Sequence, residues 1–258
     1  MGNSMDISQT VLHRTPMTVL RVQPKRCGAK VFAGLLILCI ILPAWAQAAC
    51  VDNVVLVHGN TGRPSDWDNT YIALLNSGYN ASQIYRPDWG SKTCAACNDH
   101  RGSEETPVQN ALSTALQNSC TGKIDVIGHS MGVTLAGAEI IKLGISSRVD
   151  SFVGIAGALR GLNSCGMYPF NVPTTTCSTW GLSVSSPFLD DLYGQRFGQR
   201  MYSIKSYLDQ VVCATGICTV GGVHSSQIWN ENQSYTFNSY GHFGLQSNTG
   251  SLQVQLIR

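Results

Sequence analysis

The chain has 258 residues, 17 Lys plus Arg against 15 Asp plus Glu, and a formal net charge of +2. The basic excess belongs to the first 48 residues; from Ala49 onward, 12 basic side chains stand against 14 acidic ones. With no basic run and no basic and aromatic stripe, a nucleic-acid partner is excluded, and the remaining 210 residues suffice for one domain with a real core.

The opening segment reads as an export leader. Arg21, Lys25, Arg26 and Lys30 precede an apolar run from Val31 to Leu42, and Ala44-Trp45-Ala46-Gln47-Ala48 offers small residues for cleavage after Ala46 or Ala48. The apolar run is shorter than the ~20 residues that span a bilayer. The expectation is a secretory signal peptide over 1–48, with Met17 as an alternative start, and a domain over 49–258 that keeps no stable membrane anchor and is secreted, extracellular or periplasmic.

Val54 to Val57 is continuously apolar and β-branched, as in a strand covered on both faces, and ends in the loop His58-Gly59-Asn60-Thr61-Gly62. Ser65 is placed to cap a helix running to about Leu75, with Gly78 ending it. A short strand fits Ile84-Tyr85, and Val108, Leu112, Ala115 and Leu116 mark one face of a helix ending near Ser119. Lys123 to Ile127 is strand-like; Met131 to Leu143 is helix-like, with Gly144 as its stop. Val149 to Ile155 and Gln199 to Ser206 are further strands, separated by a long loop-rich stretch, and Tyr235 to Phe237 is a last short strand before Gly241-His242. Strands alternating with helices predict an α/β fold with a mostly parallel central sheet flanked by helices on both faces.

Between the Lys123 strand and the Met131 helix stands Gly128-His129-Ser130-Met131-Gly132. In a chain rich in Gly and Ser the pentapeptide alone decides little; the strand before it and the helix after it make it a nucleophile elbow, where side chains at the outer positions would strike the neighbouring strand and helix. A serine hydroxyl needs a base within hydrogen-bond reach and a carboxylate to orient that base. Ser130 is the nucleophile. His242, in a C-terminal loop just after a strand, is the preferred base, with His224 a rival in a Gly-rich loop; His129 packs beside the nucleophile and His58 braces its own loop. Asp209, following the strand that ends near Ser206, is the preferred acid, with Asp190 and Asp191 as rivals, while Asp125 points away from the site. The order Ser, Asp, His is that of α/β hydrolases. Ester cleavage also needs two N–H donors for the oxyanion: the amide of Met131, and that of Asn60 with Thr61 as fallback.

Removing the leader takes away Cys27 and Cys39 and leaves an even number of cysteines, which in an exported chain argues for disulfides. Short spacing suggests Cys94 with Cys97, Cys165 with Cys177 and Cys213 with Cys218, leaving Cys50 and Cys120 to staple two strand beginnings. Cys94, Cys97 and His100 as three metal ligands is the competing reading, and it lacks a fourth ligand. No metal and no cofactor are expected.

Val54 to Gly62, Ile124 to Gly132, Ser203 to Val212 and Gly241 to Leu245 occur in an order that resembles the small secreted class 2 lipases of the α/β-hydrolase fold. The resemblance implies a lipase or esterase with the triad Ser130, Asp209 and His242, oxyanion donors at Asn60 and Met131, and a lid that is small or absent. Its partner is a lipid or ester substrate, met in solution or at an oil-water interface, and the chain is expected to be a monomer. Leu162 to Arg200, with Met167, Tyr168, Phe170, Trp180, Leu182, Phe188, Leu189 and Leu192, is the expected source of acyl-pocket walls. A triacylglycerol or small ester, a polyester such as a polyhydroxyalkanoate, and transfer to another acceptor all fit the same triad; a non-catalytic binding protein on this scaffold is the remote alternative.

Overall fold

The computed structural model describes residues 50–258, so the expected leader over 1–48 lies outside the described residues. Ten strands occur in chain order: β1 (Asn53–Val57), β2 (Ile84–Tyr85), β3 (Ile124–His129), β4 (Val149–Ile155), β5 (Leu162–Met167), β6 (Ser183–Val184), β7 (Arg200–Ser206), β8 (Thr219–Val220), β9 (Val223–His224) and β10 (Gln233–Phe237). The helices are α1 (Asp68–Asn76), α2 (Glu105–Gln117), α3 (Met131–Lys142), α4 (Pro187–Leu192), α5 (His242–Asn248) and α6 (Gly250–Leu256). Six strands form one sheet in the order β10-β7-β4-β3-β1-β2, with every neighbouring pair parallel.

Alternation along the strands divides the core in two. Val55, Val57 and Val126 face a layer built with Val108 and Leu112 of α2 and Leu135 and Ile140 of α3. Val54, Leu56 and Ile127 face the other layer, with Leu74 of α1, Leu245 of α5 and Val254 of α6. Both faces are buried, which is why β1 reads as an uninterrupted apolar run. The fold is the α/β-hydrolase arrangement that the order of strands and helices predicts.

Helix α3 sits unusually close to the sheet because Gly132 has no side chain: a Cβ there would run into the backbone carbonyls of Val57 and His58. The helix ends where Gly144 takes φ +65°, a conformation open to glycine at little cost. Four disulfides, Cys50–Cys120, Cys94–Cys97, Cys165–Cys177 and Cys213–Cys218, match the expected pairs. With Cys94 and Cys97 bonded to each other, no thiolate is left for the competing metal reading. His100 instead meets the carbonyl of Trp180 through Nδ1 and the Thr134 hydroxyl through Nε2.

Three local expectations are corrected. Ser65 caps no α-helix; Pro64–Trp67 forms a tight 3-10 turn ahead of α1, and Asp66 closes it by accepting the Arg63 N–H at 2.8 Å. His242 does not lie in a loop; it is the first residue of α5. The stretch between β4 and β7 is not irregular throughout but contains β5, β6 and α4.

Candidate active site

The parallel strands carry their C-terminal ends, and the loops that follow them, to one edge of the sheet. After β3 the chain turns through Ser130 at φ 55° and ψ −132°, a backbone that residues other than glycine rarely hold. The Ser130 N–H donates to the Ile155 carbonyl at 2.8 Å and its own carbonyl accepts from Val133 at 3.0 Å, so neighbouring strand and helix both hold the turn. Tight packing around it needs glycines: a Cβ at Gly59 would lie 2.8 Å from Ser130 Cβ, and one at Gly128 equally close to the Val133 backbone.

After β7, Asp209 is fully buried. Its Oδ1 accepts the N–H groups of Val211 and Val212 at 2.9 and 2.8 Å, and its Oδ2 lies 2.8 Å from His242 Nδ1. Burial works against its charge, but these donors and the imidazole outweigh it and hold the carboxyl below the usual range. The His242 ring is 2% exposed. The His242 N–H donates to the Gln210 side chain at 3.0 Å, which fixes the start of α5 against the Asp209 loop. With Nδ1 donating to Asp209, Nε2 is the nitrogen available to a reacting group.

Ser130, His129 and His242 line one cleft of about 470 Å³ together with Gly59, Asn60, Thr61, Gly62, Asp66, Ala95, Val211, Phe243, Gln246 and Ser247. Ser130 and His242 are not hydrogen-bonded to each other among the described residues; catalytic contacts of this kind are often long until substrate binds. Residues 59–62 form a turn closed by Gly62 N–H to Gly59 carbonyl at 3.0 Å, with Thr61 at φ 56°. Neither the Asn60 nor the Met131 N–H finds an acceptor among the described residues. Asn60 itself is anchored, its Nδ2 donating to the Ala95 carbonyl at 2.8 Å and its Oδ1 accepting from Asn98 at 2.6 Å.

The other histidines have structural partners. His224 Nε2 donates to the Ser206 carbonyl at 3.1 Å while Nδ1 accepts from Ser226 at the same distance, so neither nitrogen faces the cleft. His58 Nδ1 bonds the Gly59 carbonyl at 2.8 Å and its ring stacks on Trp89, bracing the turn as expected. His129 Nε2 donates to the His242 carbonyl at 3.2 Å, and burial, with His242 beside it, lowers its pKa to about 3. Asp190 and Asp191, in α4, line two other cavities.

The expected acyl walls are corrected. None of the residues from Leu162 to Arg200 lines the cleft. Leu182, Phe188, Leu189 and Leu192 fill the core beneath α3 instead, while Met167 and Phe170 face solvent. Sequence reading missed Asp66, Ala95, Gln246 and Ser247 as cleft residues. Gln246 and Ser247 had a usable signal, since residues four and five beyond His242 share its helix end.

Among the described residues no helix is long and apolar enough to cross a membrane. No curated protein matches the chain. Among solved structures, it resembles mature Bacillus licheniformis lipase BlEst2 (TM-score 0.59, 12% identity, 81% of this chain and 93% of that one). It also resembles the metagenome-derived lipolytic enzymes LipS and LipT (0.52, 16%, 80% and 91%). A third likeness is to Aspergillus fumigatus lipase B (0.54, 17%, 76% and 49%), of which this chain spans about half the length. At these identities the likeness establishes the fold, α/β hydrolase. The lipase (class 2) family matches residues 52–255, nearly all of the described chain, and the protein belongs to that family.

Proposed function

We propose that the protein is an exported serine hydrolase that cleaves carboxylic esters through an acyl-enzyme, with Ser130 as nucleophile, His242 as base and then acid, and Asp209 as the carboxylate that orients it. The observation that carries this reading is the buried contact between His242 Nδ1 and Asp209 Oδ2 in the cleft that also exposes Ser130.

Ser130 Oγ attacks the ester carbonyl carbon as His242 Nε2 takes its proton, and Asp209 stabilises the imidazolium. The carbonyl oxygen becomes an oxyanion facing the free N–H groups of Asn60 and Met131, each such donor lowering the barrier by about 3 kcal/mol. Collapse of the tetrahedral species expels the alcohol, which takes the proton from His242. Water then repeats the sequence on the acyl-enzyme and releases the acid. More of the exposed cleft wall is apolar than polar, with Ala95, Val211 and Phe243 beside Asn60, Thr61, Asp66, Gln246 and Ser247, which suits an uncharged ester. Export is supported by the apolar leader-like segment and by four disulfides, which persist in oxidising compartments.

One observation favours a second reading. Tyr207 and Leu208, directly before Asp209, and Phe243, directly after His242, are exposed apolar side chains of the kind a polymer such as a polyester would meet. Initial rates on p-nitrophenyl esters of increasing acyl length, with Ser130→Ala in parallel, test both. A short-chain preference and a ~10⁶-fold loss in Ser130→Ala support the esterase reading. Release of soluble acids from a polyester film at a comparable rate moves the polymer reading forward, and equal rates in both proteins refute the triad.

A further inference from the structure

At the edge of the sheet opposite the cleft, three carboxylates from three adjacent chain segments converge. Asp52 directly precedes β1, Asp125 is the second residue of β3, and Asp150 is the second residue of β4. The β3–β4 ladder is irregular here: Ile124 pairs with Val149 and Val126 with Phe152, so Asp150 and Ser151 together stand opposite Asp125. Such a bulge re-aims side chains that a regular ladder would send to opposite faces. One oxygen from each of Asp52, Asp125 and Asp150 lies within 4.8 Å of the others. That is about the span across a calcium ion whose ligands sit ~2.4 Å from the metal.

A crowd of carboxylates alone means little, but this one has an unmet need at its centre. Asp125 is fully buried; its Oδ1 accepts the Ser151 N–H at 3.0 Å, and its Oδ2 has no partner. Ser151, whose N–H meets Asp125, has a hydroxyl that is also buried and unpartnered. An unpartnered buried carboxylate oxygen is costly unless a proton or a cation meets it. Two basic side chains, Lys123 at 3.0 Å and Arg200 at 2.6 Å, serve Asp150. Neither donates a hydrogen bond to Asp52 or Asp125, although the Arg200 charge also reaches Asp125 through space.

We infer that Asp52, Asp125 and Asp150 form a binding site for a hard divalent cation, calcium, at the beginnings of strands β1, β3 and β4. The donors are all oxygens, which suits calcium rather than a thiolate- or imidazole-seeking metal. Asp150 keeps its basic partners on one side and lends a remaining lone pair on the other, and the Ser151 hydroxyl can complete the shell directly or through water. Asp125 and Ser130 are five positions apart along the strand, roughly 16 Å at about 3.3 Å per residue, so the ion acts on the fold and not on the reacting ester. The Cys50–Cys120 disulfide ties the same end of the sheet, so covalent and ionic staples are stacked there.

The purified protein, stripped with EDTA, is melted across a calcium chloride titration, with sodium and magnesium chloride matched for ionic strength. Binding is read separately by calorimetry and by terbium luminescence sensitised through nearby Tyr79. The expected result is a Tm increase of about 3–5 °C at roughly ten times the dissociation constant, which sodium does not reproduce. Terbium emission should be displaced by calcium. Asp52 lies outside any strand and is partly exposed, so Asp52→Asn should fold, keep its kcat on a short ester and lose the calcium increment. A wild type whose Tm and heats are indifferent to calcium overturns the site, as does an Asp52→Asn protein that keeps the full increment. Should Asp52→Asn not fold, wild-type terbium emission that calcium fails to displace overturns it as well.

Discussion

His242 Nδ1 lies 2.8 Å from Asp209 Oδ2, and both side chains are buried, the imidazole packed against His129 and Phe243 and the carboxylate in the turn that follows β7. Removing the negative charge while keeping the shape isolates the electrostatic part of that contact. Asp209→Asn should lower kcat by about 10³–10⁴ with KM nearly unchanged, because the amide favours the wrong imidazole tautomer and no longer stabilises the imidazolium. Steady-state kinetics on a p-nitrophenyl ester check this, with circular dichroism to establish that the variant folds. A loss below tenfold would place the orienting carboxylate elsewhere.

The close approach of α3 to β1 gives a test of the elbow that does not depend on catalysis. Gly132→Ala drives a methyl into the His58 and Val57 carbonyls, which the packed backbone cannot vacate, whereas Gly144→Ala meets no atom within 4 Å and suffers only its positive φ. Urea unfolding should give a loss of about 1 kcal/mol for Gly144→Ala and at least about 3 kcal/mol for Gly132→Ala. Equal losses would mean that α3 has room to shift.

The elements legible in the sequence were those whose signal is local. β1 and β3 are buried on both faces and read as apolar runs, and α3 follows an elbow whose glycines have steric reasons to be there. Asp209 and His242 could be nominated because each follows a strand end, where an α/β sheet gathers its functional loops. Other features depended on tertiary packing. Helix α6 hides its periodicity because buried Gln253 is satisfied by Thr70 across the chain at 2.7 Å, so a polar residue stands where an apolar one is looked for. The residues from Leu162 to Arg200 looked like pocket walls because they are aromatic and apolar, but the core received Leu182, Phe188, Leu189 and Leu192, and solvent received Met167 and Phe170. The bulge at Asp150 could not be seen at all, since it exists only in the pairing of two strands.

The four disulfides should contribute unequally. Cys50 and Cys120 are 70 positions apart and Cys94 and Cys97 only 3, so the first bridge removes far more freedom from the unfolded chain. On loop entropy alone, replacing both cysteines of the first pair with serine should cost about 4 kcal/mol, and of the second about 2 kcal/mol or less. Chemical denaturation of the two double variants orders them. The reverse order would mean that the Cys94–Cys97 bridge supports the Asn60 turn, which Asn60 Nδ2 ties to Ala95, more strongly than chain entropy suggests.

Stability should respond to pH through two opposing sets of buried groups. Burial lowers His129 to about 3 and His100 to about 4, while in the unfolded chain both titrate near 6.5. Between those limits the unfolded chain holds protons that the native one does not, so the histidines make stability fall as pH drops through that window. Glu139 does the opposite. Burial raises it to about 7 from 4.5, so the native chain holds the extra proton and stability falls as pH rises from 4.5 to 7. Between about 4.5 and 6.5 one carboxyl opposes two histidines, so it roughly halves their effect without cancelling it, and below 4.5 only the histidines act. The wild-type Tm should therefore fall gently as pH drops from 6.5 to about 4.5 and more steeply below it. Glu139→Gln removes the opposing carboxyl: its Tm should exceed that of wild type at pH 8, where the wild-type carboxylate is charged, and should fall about twice as steeply as wild type between pH 6.5 and 4.5. Melting curves from pH 3.5 to 8 decide the matter, and a Glu139→Gln profile parallel to wild type would mean that this carboxyl titrates as an ordinary exposed one.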